Sequence, residues 1–235
     1  MAFGRGSGGA NMCERERSQR PNHFISLRVK SDAIRERVRI LQGKIVARNP
    51  ALEQCLIEPE CMHITLFVMH LDDAVAMESA KSVLLDNLAL RGYPPIVVEF
   101  DGLGTFGNGS VLFAKVSKKS AADLQSLAQV VYDAYRDAEL VTQDLNLEAH
   151  MTICRIMKRH RANRQQGRKA TQIEQGDFEE FAEERLGSHK CQGVELLSMK
   201  ERDREGYYQQ LAFVPFAKSD TSCGGRWKQM ETDGG

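Results

Sequence analysis

Cys61-Met62-His63-Ile64-Thr65-Leu66-Phe67-Val68 alternates strictly from His63 onward. Ile64, Leu66 and Val68 fall on one side of an extended segment and His63, Thr65 and Phe67 on the other, the period of a strand with one face in a core. The pattern returns at His150-Met151-Thr152. In both copies a histidine and a threonine stand two residues apart, which on a strand sets their side chains on one face about 6.5 Å apart. The residue between them is apolar in both copies and points the other way. With six histidines and seven threonines in the chain, two such pairs in matching apolar contexts mark a duplicated site rather than a coincidence. The interval between them leaves room for each copy to lie in its own lobe of strands and helix.

Working outward, His23 to Lys30 alternates Ile25, Leu27 and Val29 against Phe24, Ser26 and Arg28, a half-buried strand. Ser31 then caps a helix whose stripe is Ile34, Val38, Leu41 and Ile45, and Asn49-Pro50 stops it. A helix is expected from about Asp73 to Leu90, before Gly92 and Pro94-Pro95. Ile96 to Phe100 reads as a strand, followed by a glycine-rich turn and a second strand over Val111 to Val116. Ser120 and Asp123 form a capping-box opening for a helix to about Leu140. The second half repeats this logic: a strand from His150 to Ile156, a basic loop from Lys158 to Lys169, a helix near Asp177 to Leu186, and strands over Val194 to Met199 and Tyr207 to Val214. Residues 1–20 are polar and lack apolar periodicity, so a disordered arm is expected there and a flexible tail over 218–235, on either side of a domain spanning 21–217.

At 42% hydrophobic and 27% charged, the composition is that of an ordinary globular protein. Lysine plus arginine (32) balances aspartate plus glutamate (32), so no global positive field marks a protein that wraps long nucleic acid. A short, locally held substrate is expected instead. The start lacks the apolar run of a secretory signal and no apolar stretch is long enough to span a membrane, so the expected address is cytoplasmic or nuclear, with no membrane association. The six cysteines are scattered without a C-x-x-C pair, which suits reduced thiols and gives no zinc-ligand spacing.

Two imidazoles on one cleft suit phosphodiester cleavage, because neither unperturbed pKa lies far from neutrality. A neutral ring can deprotonate an attacking hydroxyl while a protonated one delivers a proton to the leaving oxygen. Threonine hydroxyls beside them can donate to non-bridging phosphate oxygens. The candidate catalytic set is therefore His63, Thr65, His150 and Thr152, with no metal and no cofactor required. Candidates for holding a base are Phe24, Phe67, Phe106 and one of Tyr207 and Tyr208, since adjacent residues on a strand face opposite ways. Gly102-Leu103-Gly104-Thr105-Phe106-Gly107 matches the dinucleotide-binding glycine pattern by letter, but a strand rather than a helix follows it, so it reads as a turn. His23, His70, His160 and His189 lack a threonine partner and read as ordinary structural residues. The basic run from Lys158 to Lys169 reads as a solvated loop, placed where it could also steer an oligonucleotide.

The two motifs, with Pro21-Asn22-His23-Phe24-Ile25-Ser26-Leu27, Gly102 to Asn108 and Gly206-Tyr207-Tyr208, resemble the two-histidine phosphoesterases, most of all the central domain of A-kinase anchoring proteins of the gamma/delta type. The resemblance covers about residues 21 to 215. It implies an α+β, two-lobed pseudo-twofold fold of antiparallel sheets flanked by helices around a central cleft. It also implies metal-independent cleavage of 2',5'-linked oligoadenylates, or of related cyclic phosphates, by His63, Thr65, His150 and Thr152. The other function such a domain could serve is that of a scaffold module that binds AMP-like nucleotides with little turnover. The tail beyond Lys218 carries no apolar stripe at helical spacing, so the regulatory subunit of protein kinase A is not an expected partner. A monomer acting on a short oligonucleotide is.

Overall fold

Ser31 starts the first helix shortly after the first strand ends: its hydroxyl accepts from the Ile34 amide at 3.4 Å, satisfying one of the open N–H groups of the first turn. The computed structural model describes residues 20–157 and 172–217. Its elements run β1 (His23–Arg28), α1 (Asp32–Arg48), β2 (His63–Met69), α2 (Ala74–Leu85), α3 (Leu88–Arg91), β3 (Val97–Phe106), β4 (Val111–Val116), α4 (Lys118–Asp137), β5 (His150–Arg155), β6 (Arg185–Lys190), β7 (Gly193–Arg202) and β8 (Tyr208–Pro215). The strands form one antiparallel sheet in the order β6-β3-β4-β5-β2-β1-β7-β8. The two expected sheets are thus halves of a single one, joined where β2 meets β5 through the pair Ile64 and Met151. The lobe of β1, β2, β7 and β8 carries the first motif, and the lobe of β3 to β6 carries the second.

One face of this sheet packs on the helices. Ile25, Leu27, Ile64, Met151 and Ile153 are fully buried there with Ile34, Val38, Leu41 and Ile45 of α1, so the expected stripe of α1 is the one that is buried. The helices also brace the two lobes. Arg37 on α1 donates to the Arg185 carbonyl at 3.0 Å, and Asn49 donates to Asp177 at 3.1 Å. Arg48 pairs with Glu180. Tyr135 on α4 donates its hydroxyl to the Ala80 carbonyl of α2 at 2.7 Å.

Several local expectations are corrected. Strand β1 is not half-buried: Phe24, Ile25, Ser26 and Leu27 are all buried. Helix α4 is capped by Ser117, not Ser120. Ser120 lies inside the helix, 2% exposed, accepting from the Glu99 amide and donating to the Val97 carbonyl, so it ties α4 to β3. The helix from Asp73 to Leu90 breaks at Asp86 into α2 and α3. The turn after Phe100 is shorter than expected, since Gly102 to Phe106 belongs to β3 and only residues 107–110 turn. No helix spans Asp177 to Leu186: 3-10 turns at Gln175–Asp177 and Glu179–Phe181 lead into β6, the strand that completes the lobe's edge. The arm, the basic run and the tail lie outside the described residues, apart from Arg20. Cys61, Cys154 and Cys191 are buried free thiols, and Cys55 is buried as well.

Candidate active site

Each His-x-Thr segment is followed by a strand irregularity at the same place. Ser26 and Ile25 of β1 face Thr65 and Phe67 of β2, leaving Leu66 as an extra residue. Phe113 and Leu112 of β4 face Thr152 and Cys154 of β5, leaving Ile153 extra. A bulge of this kind adds one residue and so exchanges the two faces of the strand beyond it. Before the bulge, His63 and Thr65 share the open face with Arg28 and Ser26, and His150 and Thr152 share it with Lys115 and Phe113. After it, Phe67 and Cys154 turn into the core while Val68 and Arg155 come to the open face.

This corrects the placement of Phe67. It does not lie on the face of His63 and Thr65; it sits opposite Ile25 with its ring 5.3 Å from Tyr132 and 5.5 Å from Tyr135. Alternation alone predicted the wrong face because an inserted residue resets the count.

The antiparallel pairing of Ile64 with Met151 sets each histidine beside the other motif's threonine, His63 by Thr152 and His150 by Thr65. Side chains in such positions lie within about 4.5–5.5 Å of each other at Cβ. Both rings are held alike. His63 Nδ1 lies 2.8 Å from the Cys61 carbonyl, and His150 Nδ1 lies 2.6 Å from that of Glu148. A carbonyl only accepts, so Nδ1 carries the hydrogen in both rings and Nε2 is left for chemistry.

The surroundings of the two rings differ. His63 lies between Phe24, 5.0 Å away, and the edge-on ring of Tyr208, 5.2 Å away. His150 is met by Phe106 at 4.9 Å and Phe113 at 5.3 Å, which stack on each other at 3.9 Å. Gly104 makes that stack possible, since a Cβ there would come within 2.7 Å of the Phe113 ring. Phe24, Phe106 and Tyr208 are therefore brought to the histidines. Tyr207 is 1% exposed and donates its hydroxyl to the buried carboxyl of Glu195 at 2.9 Å, so of the two adjacent tyrosines Tyr208 faces the cleft.

Burial pushes the His63 imidazole down to about 4, helped by the positive charges of His150, Arg202 and Arg155 and opposed by the Cys61 carbonyl. His63 is then neutral at pH 7, with a free lone pair on Nε2. Beside Thr65 and His150 opens a cavity of 570 Å³, walled by Phe67, Val68, Tyr132 and residues 139–148. Among the described residues no group of three or more His, Cys, Asp or Glu side chains could hold a metal ion, and no helix is long and apolar enough to cross a membrane.

Sequence reasoning missed Phe113, Lys115, Arg155 and Arg202. Phe113 and Lys115 follow only from the register of β4 on β5, and Arg155 reaches the open face only through the bulge. Arg28 was placed on the right face by alternation but assigned no role. Of the remaining histidines, His23 bonds Asn22, His70 bonds the Arg20 carbonyl, and His189 lies against Arg28 and Lys30, while His160 lies outside the described residues.

The AKAP7 2'5' RNA ligase-like domain matches residues 21–216 of this chain. Solved structures share the fold. Escherichia coli LigT complexed with 3'-AMP is 14% identical, with a TM-score of 0.60 over 84% of this chain and 99% of that one. TT0787 of Thermus thermophilus is 16% identical, with a TM-score of 0.58 over 83% and 97%. Kluyveromyces marxianus Usb1 is 10% identical, with a TM-score of 0.50 over 84% and 99%. The duplicated His-x-Thr strands, the curled antiparallel sheet and the match along nearly all of the described residues have one reading: this chain belongs to the two-histidine (2H) phosphoesterase family, as an AKAP7 2'5' RNA ligase-like domain, a family whose chemistry is phosphoester cleavage.

Proposed function

We propose that the protein is a metal-independent phosphodiesterase that cleaves 2',5'-linked oligoadenylate, with His63 as the base and His150 as the acid. The observation that carries this reading is the pair of imidazoles, each anchored through Nδ1 to the carbonyl two residues back, on one face of the sheet and each beside the other motif's threonine. The neutral state of His63 gives it the base role and leaves the acid role to His150, which borders the open cavity. The preference for 2',5' linkages rests on the likeness to the anchoring-protein branch. Nucleotide recognition gains support from E. coli LigT, solved with 3'-AMP and with ATP.

In a 2',5' linkage the neighbouring 3' hydroxyl lies in line with the 5' leaving oxygen. His63 Nε2 takes the proton of that hydroxyl as its oxygen bonds to phosphorus. The bond from phosphorus to the 5' oxygen breaks, and His150 Nε2 supplies the proton that makes a 5' hydroxyl. The products are a 2',3'-cyclic phosphate and a shortened chain. Thr65 and Thr152 donate to the non-bridging oxygens, where charge builds. The incoming phosphate also strengthens His63 as a base, because a nearby negative charge favours the protonated ring.

The test is incubation of the protein with 2',5'- and 3',5'-linked triadenylate in excess EDTA, with products resolved by chromatography. Cyclic phosphate from the 2',5' trimer, and none from its 3'-deoxy analogue, is expected. Equal rates on the two linkages would remove the linkage preference. Loss of turnover in chelator with rescue by one metal would remove the metal-free mechanism. Tight binding without turnover would favour the nucleotide-binding scaffold.

A further inference from the structure

The turn before β8 brings two tyrosines together, and each carries an arginine. The Arg28 guanidinium lies 3.7 Å above the Tyr207 ring, and that of Arg202 lies 3.7 Å above Tyr208. The two rings are 5.7 Å apart. Stacking on a ring uses one face of a guanidinium and leaves the N–H groups in its plane to bond elsewhere.

Those groups find little. Among the described residues the only carboxylate paired with Arg28 is Glu205, 3.9 Å away on a side chain that is 80% exposed. Arg28 Nε is buried with no hydrogen-bond partner among them. Glu195, the nearby buried acid, is already bonded to the Tyr207 hydroxyl. Arg202 has no ion pair among the described residues and reaches only the weakly accepting Sγ of Cys61, at 3.5 Å. A pair of arginines held stiffly on rings, short of acceptors and facing a cleft is built for an anion.

Its position says which anion. Arg28 is the cross-strand neighbour of His63, and Tyr208, under Arg202, touches the His63 ring. The scissile phosphate lies between the two histidines, so the arginines stand beyond it, on the side of His63 away from His150. We infer that Arg28 and Arg202 bind a second phosphate, the one on the 5' oxygen of the nucleotide whose 3' hydroxyl His63 deprotonates. This rests on the phosphodiesterase reading above and adds a substrate requirement to it. The phosphate has two sources, a 5'-terminal monophosphate or the preceding internucleotide phosphate.

The experiment compares three 2',5'-linked substrates: the dimer with a 5' hydroxyl, the dimer with a 5' monophosphate, and the trimer with a 5' hydroxyl. Wild-type kcat/KM rises by about tenfold or more when the second phosphate is present, the effect of one or two charge-assisted hydrogen bonds. A gain in the phosphorylated dimer alone identifies the terminal source, and a gain in the trimer identifies the backbone source. In Arg202→Gln, an exposed position whose replacement leaves the fold intact by melting temperature, the ratio falls toward one, and Arg28→Gln lowers it further if that variant folds. An indifferent wild type, or a ratio that survives in Arg202→Gln, overturns the clamp. If no substrate is cleaved, the phosphodiesterase reading fails separately. Calorimetric affinities of the same three ligands then carry the same comparison, with the same two overturning results.

Discussion

The two lobes present the same motif in different surroundings. Both hold a histidine by Nδ1, a threonine two residues on, and a bulge directly after it. At matching positions, however, Ser26 answers Phe113, Arg28 answers Lys115 and Val68 answers Arg155. His63 is wedged between Phe24 and Tyr208 within reach of two arginines, while His150 opens onto the cavity under residues 139–148. The comparison teaches that backbone symmetry sets the distance between the rings, and that side chains divide the labour. An acid and a base must be in opposite protonation states, and a symmetric shell would give neither ring a reason to differ.

The largest expected effect tests whether both halves are needed. His63→Ala and His150→Ala each lower kcat by roughly 10² to 10⁴-fold, with circular dichroism unchanged. A folded variant of either kind near wild-type rates would break the pairing. Next come the threonines: Thr65→Ala and Thr152→Ala each lower kcat/KM by roughly 10- to 100-fold, the worth of a hydrogen bond to a charged group. Similar losses would sharpen the symmetry of phosphate binding, and a one-sided loss would end it.

A third variant addresses the His150 shell alone. Gly104→Ala forces the Phe113 ring to move, and overpacking of this kind costs about 1–3 kcal/mol. A lower melting temperature with reduced kcat is expected. An unchanged protein would mean that the ring stack does not position His150.

The smallest effect is on stability against pH. His63 sits at about 4 in the folded protein and near 6.5 when unfolded, so the unfolded chain binds more protons between those values. Stability is therefore full above about pH 6.5 and falls as pH drops toward about 4. His63→Phe should flatten that part of a melting-temperature profile, and a profile unchanged by that substitution would show that burial does not hold the His63 ring down.

Much of this was legible in the sequence because the decisive signal has period two. The His-x-Thr copies, the stripe of α1 with its Ser31 cap, and β5 all follow from local pattern. What failed depends on partners distant in the chain. The face of Phe67 is set by one unpaired residue, Leu66, which no alternation announces. Ser120 looks like a cap by spacing, yet β3 offers its hydroxyl better bonds. Residues 185–190 are polar enough to pass for a helix end, but the open edge of β3 recruits them as a strand. Tyr208 could be told from Tyr207 only once Glu195 was seen to claim the latter.

The order of strands also puts the two halves on different clocks. The lobe of His150 is one unbroken stretch, β3 to β6, whereas the lobe of His63 needs β1 and β2 from the start of the chain and β7 and β8 from its far end. As the chain leaves the ribosome, at roughly 5–20 residues per second, β3 to β6 can close on one another while β1 still lacks its second neighbour. Arg202, Tyr207 and Tyr208 emerge last of all the groups around His63. The newborn protein thus completes the lobe of His150 before the lobe of His63, and the cleft acquires its final wall only after the rest of the sheet has formed.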